Sequence, residues 1–201
     1  IPHRTKRKHY GECVARRVPG IRLRMEEAAL ELFEARGIAN TTAAQVAAAA
    51  GTTERTFFRH FRNKLDAAFG DESRLRDTAR DAVTAAPEGT SAFGAVMAGM
   101  DAIAREFDGH RDGLVRRARV VAANPELQER EMSRGAQWAE AIAGALTGRG
   151  VDRRRAVLLA GVGLSLFRAA YERWIDDTDS NLTDVLGAVV SEFRAELAAS
   201  L

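Results

Sequence analysis

Apolar residues recur at steps of three and four along most of the chain, the spacing that places them on one face of an α-helix. Strand-type alternation is rare, and only four prolines interrupt the pattern. The sequence therefore predicts an all-α fold of about nine helices. The first four are expected at residues 21–36, at residues 43–50, after Thr53 and, as a long helix entered at Asn63, as far as about Ala86.

Five further helices are predicted, and three of them begin at residues that favour helix N-termini. Ser91 precedes the fifth, Asn124 with Pro125 the seventh, and Asp152 the eighth. The eighth helix has apolar residues on more than one stripe, so it should be buried on two sides. The ninth has an apolar stripe typical of helices packed side by side. Its residues are Leu182, Leu186, Val189, Phe193 and Leu197.

The stretch 37–69 contains two short helices joined by a glycine turn. Thr41 or Thr42 can cap the Ala-rich first helix through its hydroxyl. Gly51 should end that helix, because glycine adopts the left-handed conformation at low cost. Thr53 then caps the second helix.

The second short helix has two faces. Phe57 and Phe61 are four residues apart and fall on one face, which can pack on the preceding helix. The outward candidates are Glu54, Arg55, Thr56, Phe58 and His60. Two helices, a tight turn and a polar outer face are the helix-turn-helix pattern, whose second helix enters the DNA major groove.

This stretch resembles the TetR family of one-component bacterial repressors. The matching residues are Gly37, Thr41, Val46-Ala47, Ala50-Gly51, Thr53, Thr56-Phe57-Phe58, His60-Phe61 and Lys64. Residues 54–59 also resemble an actinobacterial subgroup that includes regulators of the mycofactocin type. The resemblance implies that Thr42, His60 and Lys64 hold phosphates, and that Glu54 and Arg55 lie nearest the base edges.

Two residues depart from the family's pattern. Phe58 stands where tyrosine is common, so a phosphate contact through a phenolic hydroxyl is lost. Ala43 stands where some relatives have a basic residue that contacts bases, so base recognition by the first short helix should be weak. The predicted DNA-binding residues are Thr42, Thr53, Glu54, Arg55, Thr56, Phe58, His60 and Lys64.

The distribution of charge agrees with a double-stranded DNA partner. Residues 1–64 have 13 Lys and Arg against 6 Asp and Glu, a net charge of +7. Residues 65–201 have 17 against 22, a net charge of −5. Basic charge is therefore concentrated around the helix-turn-helix, as a polyanion requires.

Residues 1–20 form a separate basic segment without apolar periodicity, and we expect a flexible arm. Such an arm either enters the minor groove or remains a solvated tail. His3, His9 and Cys13 fit no usual zinc spacing, so no metal site is predicted.

Composition excludes several other classes of protein. Cys13 is the single cysteine, which rules out an intramolecular disulfide and suits the reducing cytoplasm. No apolar run approaches the roughly 20 residues that span a bilayer, and no leader is evident, so an unexported protein away from the membrane is expected. The sequence has no GxSxG, P-loop or HExxH motif, so we predict neither catalytic residues nor a cofactor.

A group of large apolar residues in the C-terminal part is a candidate effector pocket. These residues are Phe93, Met97, Met100, Phe107, Trp138, Phe167, Tyr171 and Trp174. Ordinary core packing explains any single one, whereas bundles also bind ligands between facing helices. The apolar lining predicts a small hydrophobic effector, of acyl type among the options. Arg116, Arg117 and Arg119 either receive an anionic head group or form a solvated face, and the solvated face is favoured.

The last two helices are the predicted dimer interface, as in TetR-like regulators. The candidate residues are Leu158, Val162, Leu182, Leu186, Val189 and Phe193. Arg153, Arg154 and Arg155 are expected at the surface, where the acidic turn 176–179 of a partner chain offers them a counter-charge. The expected units are a basic arm at 1–20, a helix-turn-helix domain at 21–68 and an effector-binding and dimerisation domain at 69–201.

These features predict an effector-responsive repressor that binds a pseudo-palindromic operator as a homodimer. One alternative is a helical small-molecule-binding or scaffold protein with a vestigial helix-turn-helix. An all-α enzyme is a third class, and no sequence feature supports it.

Overall fold

The computed structural model describes residues 20–70, 72–177 and 179–200. These residues form nine α-helices and a 3₁₀ helix, and no β-strand occurs among them, so the all-α prediction is confirmed. The helices are α1 (Ile21–Arg36), α2 (Ala43–Ala49), α3 (Glu54–His60), the 3₁₀ helix (Lys64–Ala68), α4 (Glu72–Ala85), α5 (Ala92–Asp108), α6 (Arg111–Ala122), α7 (Pro125–Gly148), α8 (Arg153–Asp176) and α9 (Leu182–Ala199).

The described residues contain two hydrophobic clusters. The first lies in residues 21–70, here called the head, and includes Met25, Phe33 and Phe57. The second lies among α4, α5, α7, α8 and α9, which with α6 are here called the body. The head cluster also takes in three body residues, Val120, Val121 and Leu127. Head and body therefore share apolar packing at α6 and the start of α7.

The prediction of one long helix that begins at Asn63 is wrong. Asn63 does cap a helix, since its side-chain oxygen accepts from the N–H groups of Leu65 and Asp66, but that helix is the five-residue 3₁₀ segment. The chain then turns at Gly70, which has a φ of +69° that only glycine adopts readily. The helix that leads into the body starts only at Glu72.

Side-chain caps begin three of the body helices; those at Ser91 and Asp152 were predicted, and the one at Asn181 was not. Ser91 accepts from Gly94 N–H, Asp152 from Arg154 and Arg155, and Asn181 from Asp184. Asn124 precedes α7 as predicted, but its side chain does not cap that helix. Its amide instead donates to the Val120 carbonyl at the end of α6, 2.6 Å away.

Glycines bring α5 unusually close to two neighbouring helices. A Cβ placed on Gly163 of α8 would lie 2.3 Å from Val96 Cγ1 of α5. A Cβ on Gly99 of α5 would lie 3.0 Å from the Ala79 carbonyl oxygen of α4. Since real contacts of Cβ atoms are longer, α5 packs between α4 and α8 only because these side chains are missing.

The α5–α6 corner is fastened to the α8–α9 corner by polar contacts. The Asp108 carboxylate accepts from Leu182 N–H at 2.6 Å and from the Thr183 hydroxyl at 3.0 Å. Arg111 lies over the Trp174 ring, with its guanidinium carbon 4.6 Å from the ring centroid, and donates to the Trp174 carbonyl at 2.5 Å. The C-terminal end of α8 is thereby held against α6.

Candidate nucleic-acid interface

The first short helix of the head is opened by a capping box. The Thr42 hydroxyl accepts from Gln45 N–H at 3.2 Å, and the Gln45 side chain accepts from Thr42 N–H at 2.8 Å. Of the two threonines that the sequence left open, Thr42 is therefore the cap. Thr41 is fully buried, and its hydroxyl donates to the Gly37 carbonyl at 2.9 Å.

The turn into the second short helix follows the predicted chemistry. Gly51 has a φ of +70°, and the Thr53 hydroxyl accepts from Thr56 N–H at 3.3 Å. The Thr53 and Thr56 hydroxyls also lie 3.1 Å apart and share a hydrogen bond. Both hydroxyls are thus engaged within the helix start, which fixes how α3 leaves the turn.

The two faces of α3 are as the sequence predicts, except that Thr56 and His60, which were expected on the outward face, are half-buried. Phe57 is fully buried and Phe61 is 3% exposed, and both belong to the head cluster with residues of α2. Glu54 and Arg55 are exposed, and Phe58 is 53% exposed with its ring edge-on to Phe57 at 5.5 Å. Since the inward rings fix the rotation of the helix, these three side chains project away from the head.

His60 and Lys64, both predicted to hold phosphates, are half-buried. The Nε2 atom of His60 is buried and has no hydrogen-bond partner among the described residues. The Lys64 ammonium donates to the carbonyls of Ile38 at 2.6 Å and Thr41 at 2.8 Å. The structure therefore holds the Lys64 ammonium on the backbone and places the His60 Nε2 atom inside the protein.

Arg22 of α1 is a head residue that the sequence interpretation missed. Its guanidinium donates to the carbonyl of His60, the last residue of α3, at 3.3 Å and to that of Gly70 at 2.8 Å. It also lies over the Phe61 ring, 4.8 Å from the centroid. Because these partners are 38 and 48 residues away, local spacing has no signal for the contact.

Asp66 connects the head to the body. Its carboxylate, 9% exposed as a residue, lies 3.0 Å from Arg130 and 3.7 Å from Arg134, both on α7. Arg62 approaches it from the head side at 3.4 Å. A carboxylate this buried is stabilised by cations on both sides, so it holds the 3₁₀ helix against α7.

Phe69 makes a second connection beside Asp66. The guanidinium carbons of Arg134 and Arg117 lie 4.0 Å and 5.2 Å from its ring centroid. Arg117 also pairs with Glu131 at 2.7 Å. The junction thus combines cation–π contacts with ion pairs.

The expectation of a solvated face for the α6 arginines is wrong for Arg117, whose side chain is 16% exposed and belongs to the Phe69 junction. Arg116 lies at the surface, where it pairs with Glu31 at 2.8 Å and lies 3.5 Å from Glu34, both on α1. Arg119 is exposed. The sequence signal was the acidic face of α1, which complements the basic face of α6.

All eight candidate pocket residues pack in or against the body cluster. Phe107 contacts Phe167 and Tyr171 edge-on, with centroids 5.9 Å apart in each case. Met100 and Trp174 are each 1% exposed, whereas Phe93, Met97 and Trp138 are partly buried. The helices α5, α7 and α8 therefore bring these residues into one apolar region.

Tyr171 is the polar group within that aromatic region. Its hydroxyl donates to the Leu114 carbonyl of α6 at 3.2 Å. Burial raises the pKa of the Tyr171 phenol, while the nearby Arg117 guanidinium works in the opposite direction. The phenol is therefore neutral at physiological pH and can act as a hydrogen-bond donor.

The candidate dimer residues separate into two groups. Leu158 is 65% exposed, and it borders an apolar surface groove of about 420 Å³ with Val162 and Phe193. Leu182, Leu186 and Val189 are at most 5% exposed inside this chain's own core. These three residues attach α9 to the core of its own chain, so they are not accessible to a partner chain.

Other sequence expectations have simple outcomes. Arg153, Arg154 and Arg155 are exposed, and Arg153 pairs with Glu140 of its own chain at 2.6 Å.

His3, His9 and Cys13 lie outside the described residues. Elsewhere no group of three or more potential metal ligands is found in the parts that the structure describes. None of the helices there is both long enough and apolar enough to cross a membrane.

Fold and site together define a helix-turn-helix DNA-binding protein with a larger helical C-terminal part. Residues 27–66 match the family of bacterial regulatory proteins named tetR, and residues 90–198 match the MftR C-terminal domain. The chain belongs to the TetR family and is a transcriptional regulator.

Two curated relatives are transcriptional regulators by name. MftR of Mycobacterium tuberculosis, named for mycofactocin biosynthesis, is 31% identical over 195 residues, covering 86% of this chain and 89% of the relative. TcmR of Streptomyces glaucescens, named an HTH-type transcriptional regulator, is 29% identical over 164 residues, covering 77% and 73%.

Solved structures share the fold at low sequence identity. A Pseudomonas aeruginosa transcriptional regulator has a TM-score of 0.57 at 15% identity, covering 88% of this chain and 90% of its own. FadR of Thermus thermophilus, solved in complex with lauroyl-CoA, has a TM-score of 0.51 at 24% identity, covering 85% and 91%. These similarities agree with the two-part helical architecture.

Proposed function

We propose that this regulator is a cytoplasmic homodimeric repressor that binds a pseudo-palindromic operator and is released by a small hydrophobic ligand. The observation that carries the proposal is the outer face of α3, where Glu54, Arg55 and Phe58 project from a helix whose rotation is fixed by buried rings. Two such helices related by a two-fold axis meet successive major grooves when they are about 34–36 Å apart.

The proposed DNA contacts follow from exposure. Glu54 and Arg55 are proposed to read base edges, since both are exposed at the N-terminal end of α3. Phe58 offers an apolar ring to the groove wall. Thr42, at the exposed start of α2, is proposed to contact a phosphate. His60 is proposed as a second phosphate contact because of the family resemblance, since this residue is half-buried. Thr53, the cap of α3, and Thr56, which is hydrogen-bonded to it, orient α3.

The proposed dimer interface is the exposed apolar face of α8 with the adjacent part of α9. Val157 is 47% exposed and Leu158 65% exposed, and both border the groove beside Val162 and Phe193. Exposed residues of this size on one face are typical of surfaces buried in oligomers. The same face on a second copy completes a four-helix bundle through a two-fold axis.

The proposed ligand region is the aromatic group around Phe107, Phe167 and Tyr171. Its apolar composition supports a hydrophobic ligand. An acyl-type effector is proposed because FadR of Thermus thermophilus, of similar fold, was solved with lauroyl-CoA.

The domain division at 68/69 also remains a proposal, although the head cluster extends into α6 and α7.

The proposed route between ligand and DNA is the junction of Asp66 and Phe69 with α6 and α7. The sequence alone suggested that a fourth helix beginning at Asn63 moves the head, but α4 begins at Glu72. Arg117 belongs to the junction and lies close enough to Tyr171 to affect its pKa. A shift of α6 or α7 on ligand binding would therefore alter the position of the head.

The direct test begins with DNA selected by the protein from a random-sequence duplex pool. A pseudo-palindrome with half-sites one helical turn apart is expected, and its affinity should fall steeply with salt. Arg55→Ala should weaken binding by about 1–3 kcal/mol, whereas Arg80→Ala, an exposed arginine of α4, should leave it unchanged. Recovery of no preferred sequence would refute the proposal.

The ligand half of the proposal has its own test. Lauroyl-CoA, free laurate and CoA alone are added to the protein–operator complex. Release by lauroyl-CoA or laurate, with a 5- to 150-fold loss of operator affinity, supports an acyl-type effector. Operator binding unaffected by all three compounds contradicts the acyl-type assignment while leaving DNA recognition intact.

A further inference from the structure

Trp174 of α8 has a buried hydrogen-bond donor without a protein acceptor. The residue is 1% exposed, and its indole Nε1 atom has no hydrogen-bond partner among the described residues. Most buried polar side-chain atoms in proteins do have a partner, because leaving a donor unsatisfied costs free energy. An indole N–H can only donate, so the group that satisfies it must be an acceptor.

Trp174 belongs to the aromatic group proposed above as the ligand region. The centroids of the Trp174 and Tyr171 rings are 6.0 Å apart, and Phe107 lies 5.9 Å from Tyr171 by the same measure. Phe107, Phe167 and Tyr171 are partly buried and pack against the core cluster that contains Trp174. Trp174 is therefore the innermost member of an aromatic group whose other members are partly exposed.

The neighbouring polar side chains already have acceptors. The Tyr171 hydroxyl donates its proton to the Leu114 carbonyl at 3.2 Å. The Arg111 guanidinium covers one face of the Trp174 ring and donates to the carbonyls of Trp174 and Asp177. Of these three side chains, the indole is the one whose donor stays available for a bound molecule.

We propose that the Trp174 indole N–H donates to a carbonyl oxygen of the effector, so that the regulator responds to hydrophobic molecules that contain an ester, a thioester or a ketone. A single neutral donor matches a neutral acceptor. A carboxylate would instead bring a charge into an apolar region in which the Arg111 guanidinium already binds backbone carbonyls. The proposal rests on the ligand region of the proposed function, and it names the polar group that the ligand must contain.

This donor would make Trp174 a residue that determines ligand specificity. Apolar side chains alone separate ligands by size and shape. A buried donor also discriminates against a molecule of the same shape that leaves the N–H without an acceptor. Acetophenone and α-methylstyrene are such a pair of probes, because a methylene group in the second compound replaces the carbonyl oxygen of the first.

The indole signals of the protein provide the direct test. The full chain has two tryptophans, so its nitrogen–proton correlation spectrum has two indole signals. Trp138→Phe removes one of them and assigns the other to Trp174, even if Trp174→Phe does not fold. We expect the Trp174 indole proton of the wild type to move downfield with acetophenone, because a hydrogen bond to oxygen deshields it, and not with α-methylstyrene.

Three results of this titration would overturn the proposal. Equal shifts with both compounds would show that the oxygen does not matter. A Trp174 signal at a hydrogen-bonded position in the protein alone, and unmoved by acetophenone, would show that a bound water already satisfies the N–H. Binding of neither compound would contradict the ligand region itself, whereas binding of both without the acetophenone-specific shift refutes only the role of Trp174.

Affinity provides the second test, with calorimetry on the wild type and on Trp174→Phe, which keeps an aromatic ring and removes the donor. The variant should lose about tenfold more affinity for acetophenone than for α-methylstyrene. If Trp174 only fills space, the smaller ring would weaken the binding of both compounds by the same factor. That result contradicts the proposal.

Discussion

The head and the body are both helical, yet they hold their helices in different ways. In the head, α2 and α3 have seven residues each, too few to be stable alone, and caps and cations fix their ends. In the body, α7 and α8 have 24 residues each, and α8 crosses α5 at a glycine. Both parts have an apolar core, but single polar groups set the ends of the short head helices, whereas side-chain volume sets the close crossing of α5 and α8 in the body.

This difference explains how one chain combines a defined DNA-binding face with a region proposed to accept a ligand. In the head, buried rings set the rotation of α3, and directional hydrogen bonds fix its two ends. Apolar packing among α5, α7 and α8 is non-directional, so side-chain volume rather than hydrogen-bond geometry decides what this region accepts. Substitutions of the two kinds should therefore act on different parts of the molecule.

The largest effect is expected at the apolar centre of the head. Phe57→Ala removes a fully buried ring and should lower the free energy of unfolding by about 3–5 kcal/mol. The matched control is Phe58→Ala, whose ring is 53% exposed and whose loss should change stability by no more than about 0.5 kcal/mol. Urea unfolding followed by circular dichroism measures both; equal losses would show that the face of α3 is misassigned.

The next effect tests the dependence of the body on volume. Gly163→Ala places a methyl 2.3 Å from Val96 Cγ1, whereas Gly144→Ala in α7 meets open space. Both gain helix propensity, so their difference isolates packing, and Gly163→Ala should be less stable by about 1–3 kcal/mol. Thermal melts of the two variants provide the comparison. If they melt together, α5 and α8 separate easily and the close crossing is unimportant.

A smaller effect is expected from removing one cap in the head. Thr53→Ala loses the hydroxyl that accepts from Thr56 N–H and should cost about 1 kcal/mol. Thr52→Ala, one residue earlier, is the control and should change little. Chemical unfolding and operator affinity are measured together, since α3 begins at this cap. Equal behaviour of the two variants would mean that the turn does not need the cap.

The smallest effect concerns the phenol of Tyr171 in the body. Tyr171→Phe removes the hydrogen bond to the Leu114 carbonyl and should cost about 0.5–1.5 kcal/mol at pH 8. Burial raises the pKa of the Tyr171 phenol, so the unfolded chain releases this proton first as pH rises above about 10. Wild-type stability should then fall with pH more than that of the variant. A stability gap that does not narrow between pH 8 and pH 11 would contradict the buried phenol.

Local features of the chain were predictable because their partners lie within a few residues. The cap at Thr53, the turn at Gly51 and the inward pair of Phe57 and Phe61 all follow from spacings of two to four residues. The error at Asn63 has the same origin. Its cap was recognised correctly, but the helical pattern beyond it did not reveal the break at Gly70.

The sequence by itself determined the all-α fold, the helix-turn-helix and the opposite faces of α3, because periodicity and capping are local properties of the chain. Tertiary structure decided the rest. It turned Lys64 inward, paired Asp66 with Arg130 across 64 residues, and buried Leu182 in the core while leaving Leu158 exposed. These outcomes depend on which helices meet, and a helical stripe specifies that a face is buried without specifying what covers it.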